Sequence, residues 1–109
     1  MSVLAAILLT AQAAAPAADP APSSEIENTI IVSAERMRSI EVNVGQDREG
    51  TWHCSLSGST GSAWVDDRLC RITTGCVRDA DSDRVERCVT RRRASIINEF
   101  REALERGEA

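Results

Sequence analysis

The residues with the most definite chemistry in this chain are four cysteines, Cys54, Cys70, Cys76 and Cys88. Cysteine thiolates bind zinc, and paired cysteines form disulfides. Structural zinc sites usually contain C-x₂-C pairs, but this chain has none, and its single imidazole, His53, adjoins Cys54 on a predicted strand and faces the opposite side. Two disulfides are therefore predicted. Of the three possible pairings we favour Cys54–Cys70 and Cys76–Cys88, each of which closes a short loop and adds about 2–3 kcal/mol to the free energy of unfolding.

Catalytic groups are sparse. His53 lies near several serines and Asp66 could orient it, but no G-x-S-x-G elbow is present and the cysteines are assigned to disulfides. A surface histidine accounts for this pattern. The sequence therefore predicts a protein that is not an enzyme, with no catalytic residues.

Asp79, Asp81 and Asp83 have the spacing of the first ligands of a calcium loop. The glycine expected next is replaced by Arg84, and the glutamate expected at the loop's end is replaced by Thr90. Acidic residues that complement the dipole of a following helix are the simpler interpretation. No metal site is predicted.

The segment 58–62, Gly-Ser-Thr-Gly-Ser, could hold an anion through its backbone N–H groups at a helix start. It lacks the Gly-Lys-Ser/Thr ending of a phosphate loop. A turn followed by an N-cap at Ser62 explains the segment without a ligand, so no cofactor is predicted.

Charge argues against a nucleic-acid partner. The chain has 13 Lys plus Arg, all of them arginine, against 17 Asp plus Glu, and a formal net charge of -4. Nucleic-acid binding usually requires a basic face. The densest cluster, 91–93, is three consecutive arginines, which point in three directions on a helix and predict a solvated face, with an acidic-lipid contact as the lesser alternative.

The first quarter of the chain differs from the rest. Residues 1–15 contain an uncharged apolar run and small residues typical of a secretory signal, with cleavage expected between Ala13 and Ala17. The run is too short for a membrane span, so the mature chain is expected to have none. Residues 16–25 contain all three prolines and predict a linker. The remaining domain, 26–109, is expected to be periplasmic or secreted.

Hydrophobic periodicity predicts an α+β fold, with a small antiparallel sheet of two or three strands and two helices joined by the disulfides. Residues 29–33 are nearly all β-branched and predict a strand, while 39–44 and 51–57 alternate and predict a hairpin. A helix is expected from Ser62 to Gly75, and a longer one ends near Gly107.

Residues 40–70 resemble the C-terminal domain of TonB-type energy transducers. The resemblance rests on a strand, the turn Asp47-Arg48-Glu49-Gly50, a second strand, and the segment Ser59-Thr60-Gly61-Ser62 followed by Val65-Asp66. The family's last strand is replaced by Cys76 and an arginine-rich helix, so the likeness is to a truncated module. It implies an envelope protein that binds other proteins through a sheet edge.

Residues 27–34 look like the TonB box of outer-membrane receptors, a segment that binds by adding a strand to a sheet. The candidate binding residues are Thr29, Ile30, Ile31, Val32 and Ser33. The alternative is an ordinary first strand of this domain. Pairing within the domain and pairing with a transducer or receptor both remain open.

The sequence thus predicts an exported, non-enzymatic module that binds an envelope protein through a sheet edge. The alternative is a small disulfide-linked inhibitor or envelope stress protein that inserts the loop 45–50 or 58–62 into an enzyme. The partner could be a transducer, a receptor or an enzyme, and the sequence does not define the oligomeric state.

Overall fold

The computed structural model describes residues 23–109. Three helices and two strands follow one another in the order α1 (Ser23–Ser39), β1 (Val42–Gln46), β2 (Trp52–Leu56), α2 (Ala63–Asp79) and α3 (Val85–Glu105). The predicted signal sequence and the part of the predicted linker before residue 23 lie outside the described residues. The last three linker residues, 23–25, belong to α1 instead.

The predicted hairpin is confirmed. Strands β1 and β2 pair antiparallel, with Val44 opposite Cys54 and the turn at 47–50. Alternation directs Val42, Val44 and Leu56 toward α2, where they are half-buried, while Asn43 on the other face is exposed. A two-stranded ribbon is marginal in water by itself, so its packing against α2 is what stabilises it.

The strand predicted at 29–33 is wrong, because these residues lie within α1. Ile26, Ile30, Ser33 and Met37 recur every three or four positions and are all buried. Several of them join the main core, and α1 packs against α3. This tertiary burial outweighs the local strand preference of the β-branched residues, which is only a fraction of a kilocalorie per residue.

Helix α2 begins as predicted but ends later. The Ser62 hydroxyl accepts a hydrogen bond from the Val65 N–H at 3.2 Å, which confirms the N-cap. Gly75 does not end the helix, which continues to Asp79. A glycine inside a helix costs about 1 kcal/mol relative to alanine, and the burial of Thr73 and Cys76 on either side offsets it.

The core lies where the three helices meet. Val65 and Leu69 of α2 and Ile96 and Phe100 of α3 are completely or almost completely buried. The Trp64 and Phe100 rings stack with centroids 5.6 Å apart. The predicted last helix is confirmed, and Gly107, at φ 72°, follows its end.

The α+β class is therefore confirmed, with a third helix in place of a possible third strand. Both predicted disulfides are present, Cys54–Cys70 and Cys76–Cys88. Among the described helices, none combines the length and the apolar character needed to cross a lipid bilayer.

Candidate functional site

Both disulfides attach a neighbouring element to α2. Cys54–Cys70 joins β2 to the middle of α2, and Cys76–Cys88 joins the end of α2 to the start of α3. Each bridge spans a Cα–Cα distance of 5.8 Å. Helix α2 is thus the element on which the hairpin and α3 are positioned, and no described cysteine is free.

The loop 58–62 is fixed to α2 through Asp66. Its carboxylate accepts hydrogen bonds from the Ser59 hydroxyl at 2.6 Å and from the Thr60 N–H and hydroxyl at 2.9 and 2.7 Å. Partial burial raises the pKa of Asp66, but these hydrogen bonds outweigh it and hold the pKa below its usual value. The carboxylate satisfies the loop's donors, which is a structural role.

The hairpin turn is organised by a second carboxylate. Asp47 Oδ1 accepts from the N–H groups of Glu49 and Thr51, both at 2.9 Å. Its Oδ2 lies 2.7 Å from Nε2 of His53, and the hydrogen bond from this imidazole lowers the pKa of Asp47. The histidine is therefore engaged by Asp47, while Asp66 is engaged by the 58–62 loop. The structure gives His53 no hydrogen bond to Asp66.

The acidic residues considered for calcium are spread around a turn. Asp79 ends α2, and Asp81 and Asp83 lie before α3, all of them exposed. Arg84, which precedes α3, makes no side-chain cap, and the nearby Asp81 and Asp83 lie on the side of the helix start where negative charge complements the dipole. Within residues 23–109 no group of three potential ligands is close enough together to hold a metal ion.

The outer edge of β1 presents backbone groups without partners. Hydrogen bonds to β2 are made by alternate residues of an antiparallel strand. Glu41 accepts from the Ser57 N–H and Asp47 donates to the Thr51 carbonyl, both at 3.0 Å, so the odd-numbered residues face β2. The N–H and C=O groups of Val42 and Val44 consequently point away from β2. None of them has a hydrogen bond within the described part of the chain.

A groove of 660 Å³ runs beside this edge. Residues 40–43 form one wall, α3 forms the other, and Thr73 of α2 also contributes. The residues from α3 are Glu86, Val89, Thr90 and Arg93. We call this space the β1 groove. It therefore lies next to the free edge of β1.

Arg93 is the one charged residue of the β1 groove with an unmet hydrogen-bonding need. Its Nη2 donates to the Ile40 carbonyl at 3.1 Å, just before β1. Its Nε is buried and has no partner. A buried donor without an acceptor costs about 1–3 kcal/mol.

The candidate residues 29–33 do not lie along β1. Ile30 and Ser33 are buried in α1, while Ile31 and Val32 are 52% and 43% exposed. Their backbone groups are committed to helical hydrogen bonds, so this segment offers no free strand in the folded domain.

The β1 groove is thus the feature that sequence reasoning missed. Side-chain alternation over 40–44 does not reveal which backbone groups face outward, because that depends on the pairing register, and nothing in the sequence places Arg93 beside Ile40.

Comparisons with family models, curated proteins and solved structures find no match to this chain. Its function therefore has to be argued from the geometry of its own residues.

Proposed function

We propose that this chain is an exported, non-enzymatic protein-binding module that receives an extended peptide along the outer edge of β1. The observation that carries the proposal is the pair of residues Val42 and Val44, whose N–H and C=O groups point away from β2 without partners. Of the two, Val42 lines the β1 groove. An added strand would hydrogen-bond to both. The resemblance of residues 40–70 to the TonB C-terminal domain supports the same mode of binding.

The composition of the groove favours a particular class of peptide. Val89 of α3 and the half-buried Val42 supply apolar contact, while the positively charged guanidinium of Arg93 favours an oxygen acceptor. A peptide with alternating apolar residues and a carboxylate placed near Ile40 would satisfy both. The exposed Glu41 and Glu86 would disfavour further acidic residues along the peptide.

Export is supported by two independent features. The two disulfides require an oxidising compartment to form and persist. The apolar run with small residues in 1–15 is typical of a secretory signal. Both features support the proposal that the mature domain lies in the periplasm or outside the cell.

The proposal is tested with a displayed library of nine-residue peptides selected against the purified domain. Val44→Pro removes an outward N–H without removing a bond to β2, and Val44→Thr keeps the N–H as the matched control. We expect the selected peptides to lose at least about tenfold in affinity for V44P and little for V44T, which corresponds to about 1.4 kcal/mol. Arg93→Gln should weaken those peptides that carry a carboxylate.

Hydrogen exchange on the unmodified domain keeps the test decisive if V44P fails to fold. Saturating peptide should slow exchange at the Val42 and Val44 amides. Peptides that bind V44P normally, or that leave these two amides unprotected, contradict the proposal.

The inhibitor alternative is favoured by one observation, the preorganised turn at 47–50. Asp47 holds this exposed turn through its bonds to Glu49, Thr51 and His53. Binding through an inserted loop depends on the residues at the tip of that loop. Arg48→Ala would therefore abolish binding to an enzyme target, while V44P would not. The opposite result supports the strand edge.

A further inference from the structure

A second groove lies between α2 and α3, away from the β1 groove. It has a volume of 310 Å³ and is lined by Arg68, Arg71, Ile72, Arg92, Ser95 and Glu99. We call it the arginine groove. Three guanidinium groups and one hydroxyl face it, against a single carboxylate, in a chain whose formal net charge is -4.

Two of these arginines are held in place by neighbours on α2. The Arg68 guanidinium lies 4.6 Å above the centre of the Trp64 ring, and its Nη1 is 3.9 Å from the nearer Glu99 oxygen. Arg71 Nε contacts Asp67 at 2.9 Å, one turn earlier in the helix. The long Arg68–Glu99 separation leaves most of the donors of Arg68 available to a ligand.

Arg92 completes the groove from α3. It has no carboxylate within ion-pair distance among the described residues. A Cβ placed on Gly75 would come 3.4 Å from its Nη1, so the guanidinium lies directly over the helix backbone at this glycine. The consecutive arginines do point in three directions, since Arg91, Arg92 and Arg93 line three different grooves.

Asp67 and Glu99 offset the charges of Arg71 and Arg68, but Arg92 has no carboxylate partner among the described residues, so an anion in the groove gains electrostatic free energy from the remaining positive charge. The planar donor forks match the oxygens of a phosphate group, and Ser95 adds a hydroxyl donor. We propose that the arginine groove binds a phosphate group, carried either by a soluble phosphate compound or by a lipid headgroup. Ile72 provides an apolar surface for the carbon part of such a ligand.

The probes are inorganic phosphate and vesicles, used with the full mature chain. Binding of phosphate is followed by calorimetry and by the fluorescence of Trp64 in a Trp52→Phe background. Vesicles of phosphatidylcholine containing phosphatidylglycerol are compared with vesicles of phosphatidylcholine alone in a sedimentation assay. Saturation with phosphate identifies a soluble ligand, and binding to the anionic vesicles alone identifies a headgroup.

Arg92→Gln is the test variant and Arg78→Gln is its control, because Arg78 is an exposed arginine of α2 that does not line the groove. We expect R92Q to weaken the bound probe at least about tenfold and R78Q to leave it nearly unchanged. Circular dichroism checks that both variants remain folded. Failure of both probes to bind, or equal weakening by R92Q and R78Q, overturns the proposal.

Discussion

The β1 groove and the arginine groove lie on either side of the same two helices, yet they offer opposite chemistry. The first presents the free backbone edge of β1 beside walls of mixed apolar and polar side chains, and the second presents the guanidinium groups of Arg68, Arg71 and Arg92. A backbone edge selects the shape of a ligand, whereas a guanidinium cluster selects its charge. One small domain can therefore carry two surfaces that do not compete for a ligand.

The two surfaces also differ in how they are held. The arginine groove rests on a helix pair whose core residues Leu69, Ile96 and Phe100 are almost completely buried. The β1 groove depends on a two-stranded ribbon whose inward residues are only half-buried. A ribbon of this size is marginal without support, so Cys54–Cys70 matters more for the sheet edge than Cys76–Cys88 does for the helices.

Complete reduction should have the largest effect on both surfaces. Loops of this length each contribute about 2–3 kcal/mol, so opening both bridges removes about 4–6 kcal/mol, a large part of a typical total stability of about 5–15 kcal/mol. We expect excess reductant to lower the urea midpoint strongly, or to unfold the domain at 25 °C. An unchanged midpoint, with four free thiols verified by alkylation and mass spectrometry, would contradict this view.

Opening one bridge at a time separates the two regions. Replacing Cys54 and Cys70 by serine, or Cys76 and Cys88 by serine, should cost about 2–3 kcal/mol in each case. The first pair of substitutions is expected to speed hydrogen exchange throughout β1 and β2 and to abolish peptide binding. The second should speed exchange near residues 76–88 while leaving the hairpin protected.

The two double variants are controls for each other, because their expected stabilities are similar. If both raise exchange in the same residues, the domain opens as one unit and the proposed difference between the regions is wrong.

Loss of the Asp66 carboxylate should lower the free energy of unfolding by an intermediate amount. The structural change should be confined to the loop 58–62, which connects the hairpin to α2. Asp66→Ala leaves the Thr60 N–H without its acceptor and leaves the buried Thr60 hydroxyl only the Ser62 carbonyl at 3.2 Å, which costs about 1–3 kcal/mol. The folded pKa of Asp66 lies below the unfolded value of 3.8, so this contribution is complete above that value and is lost as the pH falls through the folded pKa.

Urea titrations from about pH 5 to about pH 2 test whether the contribution of Asp66 to stability is lost as the pH falls. The parent should lose more stability on acidification than Asp66→Asn, which cannot titrate at this position. If Asp66→Asn loses as much free energy of unfolding as the parent over this pH range, other carboxylates account for the acid sensitivity.

The smallest losses of stability are expected from alanine substitutions at two glycines with positive φ. Gly61, at φ 89°, belongs to the loop fixed by Asp66, and Gly50, at φ 85°, belongs to the hairpin turn. Alanine costs about 1–2 kcal/mol at either position because of the left-handed backbone. At Gly61 the new Cβ would also displace the Arg36 guanidinium, whose Nη1 would be only 2.6 Å away, whereas the space at Gly50 is open.

Thermal unfolding of the two variants compares these positions directly. Gly61→Ala should lower the melting temperature more than Gly50→Ala. The reverse order would show that the hairpin turn is the less tolerant of the two regions.

Features set by local sequence were predictable. The alternation in 39–44 and 51–57 and the N-cap at Ser62 depend on neighbouring residues, and both are present. The strand expected at 29–33 depended on a local preference that burial against α3 overrides. The stop expected at Gly75 failed for the same reason, because the buried Cys76 holds the next turn of α2.

The candidate sites were predictable only in part. The disulfide pairing was favoured from short loop closures and the structure agrees with it. The meeting of Arg93 with Ile40 spans 53 positions of sequence, and that of Arg68 and Arg92 needs α2 packed on α3. Neither contact has a local signal, so the long-range packing had to be known first.

The positions of the two tryptophans give each region its own optical signal. Trp52 lies at the start of β2 opposite Gln46, and Trp64 contacts both the Phe100 ring and the Arg68 guanidinium. With either indole replaced by phenylalanine, emission from the remaining one follows a single part of the molecule. Each single-tryptophan variant thus reports on the hairpin or on the helix pair alone, without an attached dye.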